Sequence, residues 1–283
     1  NDFISKFFYP DGTHPAYGDT FNSFPSDKRV DEGLVPIGCN FFPISGYFSH
    51  RSKIEGVGLV QINLYNSSLS KIHKHFDNLQ ITFWAAGKEI FGDPGLSGYS
   101  EDDPATKNCR LAENHNLFFP TGYVCGFPEK RSKMREIGFD EWSGVISSSN
   151  IFKGLETNRS LIIDGEEGVY RIIDWCNESV EGSFRLNLIN DFHFQKFADS
   201  IKIDIEGIVI SVSCQNISGE NIIPVVIEGE AYFGHSNRRS CQVIEFNTQE
   251  TPIISTISIS SADKSEQRLR NLPLDKIMKI VEG

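Results

Sequence analysis

The feature that most restricts this chain is a long succession of short apolar runs, broken at brief intervals by Gly, Asn and Asp. In 58–65 apolar and polar residues alternate, which puts every second side chain on one face, the mark of a half-buried strand. In 79–85 the alternation places Leu79, Ile81, Phe83 and Ala85 together. Ala86-Gly87 then makes a tight turn and 88–92 returns as the partner strand, with Ala85 opposite Lys88 and Asp93 opposite Gln80. Further strand-like runs fall at 160–164, 169–173, 183–189, 201–205, 208–214, 222–227, 242–246 and 253–259. No βαβ rhythm, G-x-G-x-x-G or P-loop interrupts them, and no Gly-x-Ser-x-Gly elbow marks a serine nucleophile. The pattern predicts a mainly β protein: a large antiparallel β-sandwich over 36–260. A connector over 1–35 precedes it, wrapping from something upstream onto the body. A short helical tail over 261–283 follows, starting near Ser261 or Asp263 and interrupted by Pro273.

A length of 283 residues and 39% hydrophobic content allow an ample core. A net charge of −11 argues against a general nucleic-acid or membrane-surface binder. No apolar run approaches the roughly 20 residues that span a bilayer. A local basic patch remains compatible with that charge. Its candidates are Arg51, Lys71, Lys74 and the run 130–135, for which a solvated loop is the default reading. The chain opens on Asn1 rather than Met, so a preceding segment is expected. Six scattered cysteines show no Cys-x-x-Cys spacing; free thiols are expected, with a Cys109–Cys125 bridge the alternative.

Chemistry concentrates in one stretch. His73-Lys74-His75-Phe76-Asp77 leads through the hairpin to Gly92-Asp93-Pro94-Gly95, and His115 follows in Glu113-Asn114-His115-Asn116. Two imidazoles and a carboxylate, His75, His115 and Asp93, form a common catalytic zinc set with an open fourth position. The alternative is a structural polar cluster. His-x-His on an extended segment would point both rings to one side, so that both ligate or one ligates while the other faces substrate. On a straight strand His75 is about 17 Å from the Asp93 register. The segment before Asn78 must therefore bend back over the sheet. The remaining histidines, His14, His50, His193 and His235, are isolated and read as surface or core.

Together, His73-Lys74-His75-Phe76-Asp77-Asn78-Leu79, Gly92-Asp93-Pro94-Gly95, Gly98-Tyr99 and Arg110…Asn114-His115-Asn116 resemble the C-terminal β-sandwich of heparinase II/III-like polysaccharide lyases. Asp11-Gly12…Gly18-Asp19 and Gly46-Tyr47…Arg51-Ser52 resemble the approach to that domain. The similarity is strongest over 9–120 and fades after Trp142. It implies an enzyme of two parts, an α/α toroid followed by this sandwich, that cleaves uronic-acid glycans by β-elimination. His73 matches the active-site histidine; His75, Asp93 and His115 match the metal ligands, with zinc expected and calcium the alternative. Arg51, Lys74 and Tyr99 are the candidate substrate-binding residues. The toroid's catalytic tyrosine and its asparagine or histidine have no counterpart here, so the chain alone is expected to be weak or inactive. A periplasmic or secreted location and an acidic polysaccharide partner are implied with the family.

Two other classes compete. A cupin-type metalloenzyme also uses His-x-His on β-structure, but the glutamate expected a few residues after His75 is absent. A non-catalytic carbohydrate-binding or structural sandwich, as in surface-polysaccharide assembly, would use the histidines only to hold its fold.

Overall fold

A computed structural model describes residues 6–20, 36–68, 71–100, 102–128, 130–139, 142–233, 237–262 and 279. The first strands are β1 (Gly38–Phe42), β2 (Tyr47–Ile54), β3 (Gly58–Tyr65), β4 (Gln80–Ala85) and β5 (Lys88–Phe91). A short helix α1 (Pro104–Asn108) and a 3-10 turn (Ala112–Asn114) lead to β6 (Phe118–Pro120), β7 (Lys133–Phe139), β8 (Trp142–Phe152) and β9 (Leu155–Asp164). Next come β10 (Val169–Cys176), β11 (Gly182–Leu188), β12 (Phe194–Lys196) and β13 (Ser200–Ile205). The last are β14 (Ile208–Asn216), β15 (Pro224–Tyr232), β16 (Arg238–Thr248) and β17 (Ile253–Ser261). They form two antiparallel sheets. One runs β1-β2-β3-β4-β5-β11-β16-β15 with β6 also on β11; the other runs β12-β13-β14-β17-β10-β9-β8-β7.

Local pattern explains most of this. In β13, Ile201, Ile203 and Ile205 are buried while Lys202 and Asp204 are exposed. The two-residue turns Ala86-Gly87 and Glu206-Gly207 have positive φ throughout (50°, 74°, 53° and 83°), which matches the right-handed twist of the strands they join. Phe48, Ile62, Leu64, Phe83, Leu161, Tyr170, Phe184 and Ile257 belong to the main core cluster.

Several expectations need correction. Ala85 does pair with Lys88, but a bulge at Phe83/Trp84 sets Phe83 opposite Phe91 rather than Ile90. Asp93 therefore leaves the Gln80 register. Of the run 130–135, residues from Lys133 onward are not loop but the start of edge strand β7, whose exposed Lys133 and Arg135 suit a sheet margin. Ser261 ends β17 instead of starting a helix, and residues 263–278 and 280–283 of the expected tail lie outside the described residues. All six cysteines are free thiols.

The half of the first sheet nearest β1 is covered on both faces. Its outer face carries Ser49, Arg51, Gln61, Asn63 and Thr82, all buried. Segment 6–20 contributes to that cover through side chains that answer polar with polar. Gln61 Nε2 donates to the Phe7 carbonyl (3.1 Å), Tyr17 Oη and Thr82 Oγ1 share a hydrogen bond (3.2 Å), and Tyr9 Oη donates to Glu89 Oε1 (2.5 Å). Tyr17 stacks on Tyr65 at 4.6 Å between ring centres, and Phe7 meets Tyr47 edge-on at 4.7 Å. Burial pushes the Glu89 carboxyl up to about 8.

Between the sheets lies an ion pair. Arg159 on β9 and Asp174 on β10 sit opposite each other, joined by Nε–Oδ1 (2.7 Å) and a second bond, Nη2–Oδ2 (2.9 Å). Nη1 reaches across to the carbonyls of Leu79 (2.6 Å) and Asn116 (3.0 Å).

Removing Arg159 strands a buried carboxylate and takes a donor from the carbonyls of Leu79 and Asn116, the second of which keeps only Ile81 N–H (3.1 Å). Arg159→Met should cost about 3–5 kcal/mol in urea unfolding; a loss under about 1 kcal/mol would deny the pair its role. Glu89 gives a pH prediction. Its folded pKa of about 8 exceeds the ordinary 4.5, so the folded state holds a proton that the unfolded state releases. Stability should therefore fall as pH rises from about 4.5 to about 8, relative to Glu89→Gln, in unfolding series across that window. Parallel wild-type and variant curves would refute it.

Candidate metal centre and its flanking histidine

The three ligand candidates arrive on separate loops at one end of the first sheet. His75 lies on the β3–β4 loop, Asp93 just after β5, and His115 directly after the 3-10 turn. The bend demanded by the sequence is present. Of the four described non-glycine residues at positive φ, Ala86 and Glu206 sit in hairpin turns, while His73 (55°) and Leu79 (70°) bracket the His75 loop. The loop also closes through Phe76 N–H to the Arg110 carbonyl (3.0 Å).

His75, Asp93 and His115 are buried, and each offers a ligand atom within 4.8 Å of the others. The imidazole rings of His75 and His115 are 5.5 Å apart. Asp93 Oδ2 lies 2.8 Å from His115 Nδ1, and Asp93 Oδ1 accepts from Gly95 N–H at 2.7 Å. Among the described residues, His75 Nδ1 and His115 Nε2 are buried without a hydrogen-bond partner. Asn116 fixes the frame: its Nδ2 donates to the carbonyls of Ile81 and Gly92 (both 2.9 Å), and its Oδ1 accepts from Asn187 N–H (2.7 Å).

The two members of His-x-His part company. With φ at 55°, His73 is not extended, and its side chain is 65% exposed while that of His75 is 0% exposed. Both rings meet the same carboxylate, Asp19: His73 Nδ1 lies 2.8 Å from Oδ2 and His75 Nε2 lies 3.1 Å from Oδ1. Hydrogen bonding from His75 holds Asp19 below the usual carboxylate range against the cost of burial, helped by His73 and Arg110.

The expected substrate-binding residues are divided by the fold. Arg51 is fully buried, with Nε donating to Gln61 Oε1 (2.6 Å) and Nη2 to the Phe8 carbonyl. Burial pulls its guanidinium down to about 10. Lys74 is also internal, 4% exposed, paired with Asp77 and lying 4.6 Å from the Tyr65 ring centre. Burial would raise Asp77, yet Lys74 together with His115 and His75 holds it low. Arg51 and Lys74 are thus engaged inside the protein and present no surface to a polymer. Tyr99 is 52% exposed and its ring stands 6.0 Å from that of His73, edge-on.

Two site residues were not picked out by charge spacing alone. Asp19 lies 54 residues before His73, and only its Gly-Asp pairing in the family-like approach hinted at a role. Arg110 is 30% exposed and 3.7 Å from Asp19, with Nε buried and unpartnered. His50 lies in the core, His14 bonds the Pro15 carbonyl, and His235 is outside the described residues.

No family model and no curated protein matches this sequence. Solved structures do. The heparinase III BT4657 gene product aligns with a TM-score of 0.74 and 17% identity, over 96% of this chain and 48% of that one. A heparan sulfate lyase HepC mutant from Pedobacter heparinus gives 0.73 and 15%, over 93% and 46%. Another heparinase III structure gives 0.73 and 14%, over 93% and 48%. The likeness extends over 93–96% of this chain, well past Trp142 where the motifs fade, and it is a likeness of fold. The chain has the fold found over about half the length of heparinase III and heparan sulfate lyase structures.

Proposed function

We propose that this chain is the β-sandwich part of a polysaccharide lyase that cleaves uronic-acid glycans by β-elimination. The observation carrying this reading is the convergence of His75, Asp93 and His115 beside an exposed His73, on the heparinase III fold.

His75, Asp93 and His115 would hold the metal. Two buried ring nitrogens without partners fit that role, since an unsatisfied buried acceptor or donor is costly and a bound ion would relieve it. Imidazole donors favour zinc over calcium, which takes oxygen ligands. Bound there, zinc would supply a fixed positive charge that clamps the three loops together.

In β-elimination the proton at C5 of a uronate leaves with the base and the 4-linked oxygen departs with a proton from an acid. The C5 proton becomes acidic only when charge developing on the neighbouring carboxylate is met by donors or cations. His73, with Nδ1 engaged by Asp19, keeps Nε2 to take a proton and, once protonated, to face the substrate carboxylate. Arg110, partly exposed beside Asp19, offers the cation that Arg51 and Lys74 do not. The half-exposed Tyr99 would form a wall for the sugar. The remaining acid–base groups would come from a toroid domain, and an acidic polysaccharide outside the cytoplasm is the matching substrate. No described helix is long and apolar enough to cross a membrane.

Elemental mass spectrometry should find about one zinc per chain, lost with a lowered Tm in His75→Ala and Asp93→Ala. Unchanged metal content in both variants would remove the ligand assignment. In the full-length protein on uronic-acid polymers, His73→Ala should cut formation of unsaturated product by about 10²–10⁴-fold with Tm preserved. A metal-loaded full-length protein that binds such polymers without cleaving them would instead favour a carbohydrate-binding sandwich.

A further inference from the structure

Segment 17–20 belongs to no strand, yet Gly18 and Asp19 fasten it to the histidine loop. Gly18 N–H donates to Asp77 Oδ2 (2.9 Å) and Asp19 N–H donates to the His73 carbonyl (3.3 Å). Asp19 then spends one carboxylate oxygen on each imidazole, at 2.8 Å to His73 Nδ1 and 3.1 Å to His75 Nε2. Gly18 has φ 58°, and a Cβ there would lie 2.4 Å from the His73 carbonyl oxygen, so this approach requires glycine. On the far side Leu96 N–H donates to the Thr20 carbonyl (3.1 Å), which ties the segment to the loop after Asp93 as well.

We propose that Asp19 is a positioning residue that sets the tautomers of both imidazoles in opposite senses. An ionised carboxylate accepts hydrogen bonds and donates none, so each ring nitrogen facing it must carry the hydrogen. For His73 that nitrogen is Nδ1, which leaves Nε2 bare at the exposed edge of the ring. For His75 it is Nε2, which leaves bare the buried Nδ1 that has no other partner. The first ring is prepared to take a proton from a substrate, the second to ligate a metal, and one side chain fixes both. The carboxylate also restrains a ring that is 65% exposed and meets Tyr99 edge-on. Metal-ligating histidines commonly donate their second N–H to a carboxylate, an outer partner whose loss weakens metal binding. The roles of the two bare nitrogens rest on the lyase reading; the tautomers themselves rest on Asp19 alone.

The test uses the chain with ¹⁵N-labelled histidine, free of metal in chelator, at pH 8.5 where ordinary imidazoles are neutral. Long-range ¹H–¹⁵N correlation reports which ring nitrogen is bare, with His73→Gln and His75→Gln spectra giving the assignments. The wild-type chain should show His73 bare at Nε2 and His75 bare at Nδ1. Asp19→Ala should return His73 towards the Nε2–H form and, in competition titrations with zinc alone, weaken zinc binding by about 10–100-fold. A wild-type His73 protonated at Nε2 would overturn the assignment, as would unaltered tautomers and zinc affinity in Asp19→Ala. If Asp19→Ala does not fold, the wild-type tautomers decide by themselves. The expected tautomers in a protein that at full length cleaves no uronate polymer would refute the lyase reading and leave the role of Asp19 standing.

Discussion

The guanidinium of Arg159 is the point on which both the sandwich and its site depend. It projects from the second sheet into an otherwise apolar interior, over the ring of Phe184, and every bond it makes there is internal. Asp174 takes one edge of the fork. The other edge goes to the carbonyl of Leu79 at the end of the His75 loop and to that of Asn116 beside His115, which also accepts from Ile81 N–H. A buried ion pair is weak evidence of net stability, because desolvation offsets much of the attraction. Its bonds join the His75 loop and the His115 loop to the opposite sheet. Asn116 extends that connection to the third loop through the Gly92 carbonyl, one residue before Asp93. The site is thus rigid because its backbone is tied into the core.

The polar outer face of the first sheet is the second constraint. Burying Gln61, Asn63 and Thr82 is tolerable only if they are hydrogen-bonded, and Phe7 and Tyr17 from segment 6–20 answer two of them. The same segment delivers Asp19 to His73 and His75. Covering the sheet and completing the site therefore fall to one segment, which carries both the Tyr9–Glu89 contact and Asp19. The covering segment is short and rich in aromatic rings, so its attachment depends on the stacking of Tyr17 on Tyr65 and the edge contact of Phe7 with Tyr47 as much as on polar bonds.

Much of the β-structure was legible because alternation reports one buried face directly. β3, the Ala86-Gly87 turn and the Ala85–Lys88 pairing were read from local pattern, as were the cores of β9–β11 and β13–β17. β7 was hidden because an edge strand bearing Lys133 and Arg135 has the composition of a solvated loop, and β8 because its Ser-rich stretch dilutes the alternation. The bulge at Phe83/Trp84 leaves no local signature. In the site, the meeting of His75, Asp93 and His115 was anticipated from residue type and the need for a bend, while the positive φ of His73 replaced the extended geometry expected for His-x-His, although both rings still reach Asp19. Arg51 and Lys74 were read as surface cations; a lone sequence does not distinguish a cation that faces solvent from one paired beneath a covering segment.

By itself, then, the sequence determined what depends on neighbours along the chain: strands from period-two burial, turns from glycine, and a donor set of two imidazoles and a carboxylate suited to a metal. Tertiary structure alone decided what depends on distant partners. It brought Asp19 to two histidines, removed Arg51 and Lys74 from the surface, left Arg110 beside the site, and bound both sheets to the loops through Arg159. The physical reason is that these outcomes are set by which polar groups lose water together, and desolvation is a property of the packed molecule rather than of any segment within it.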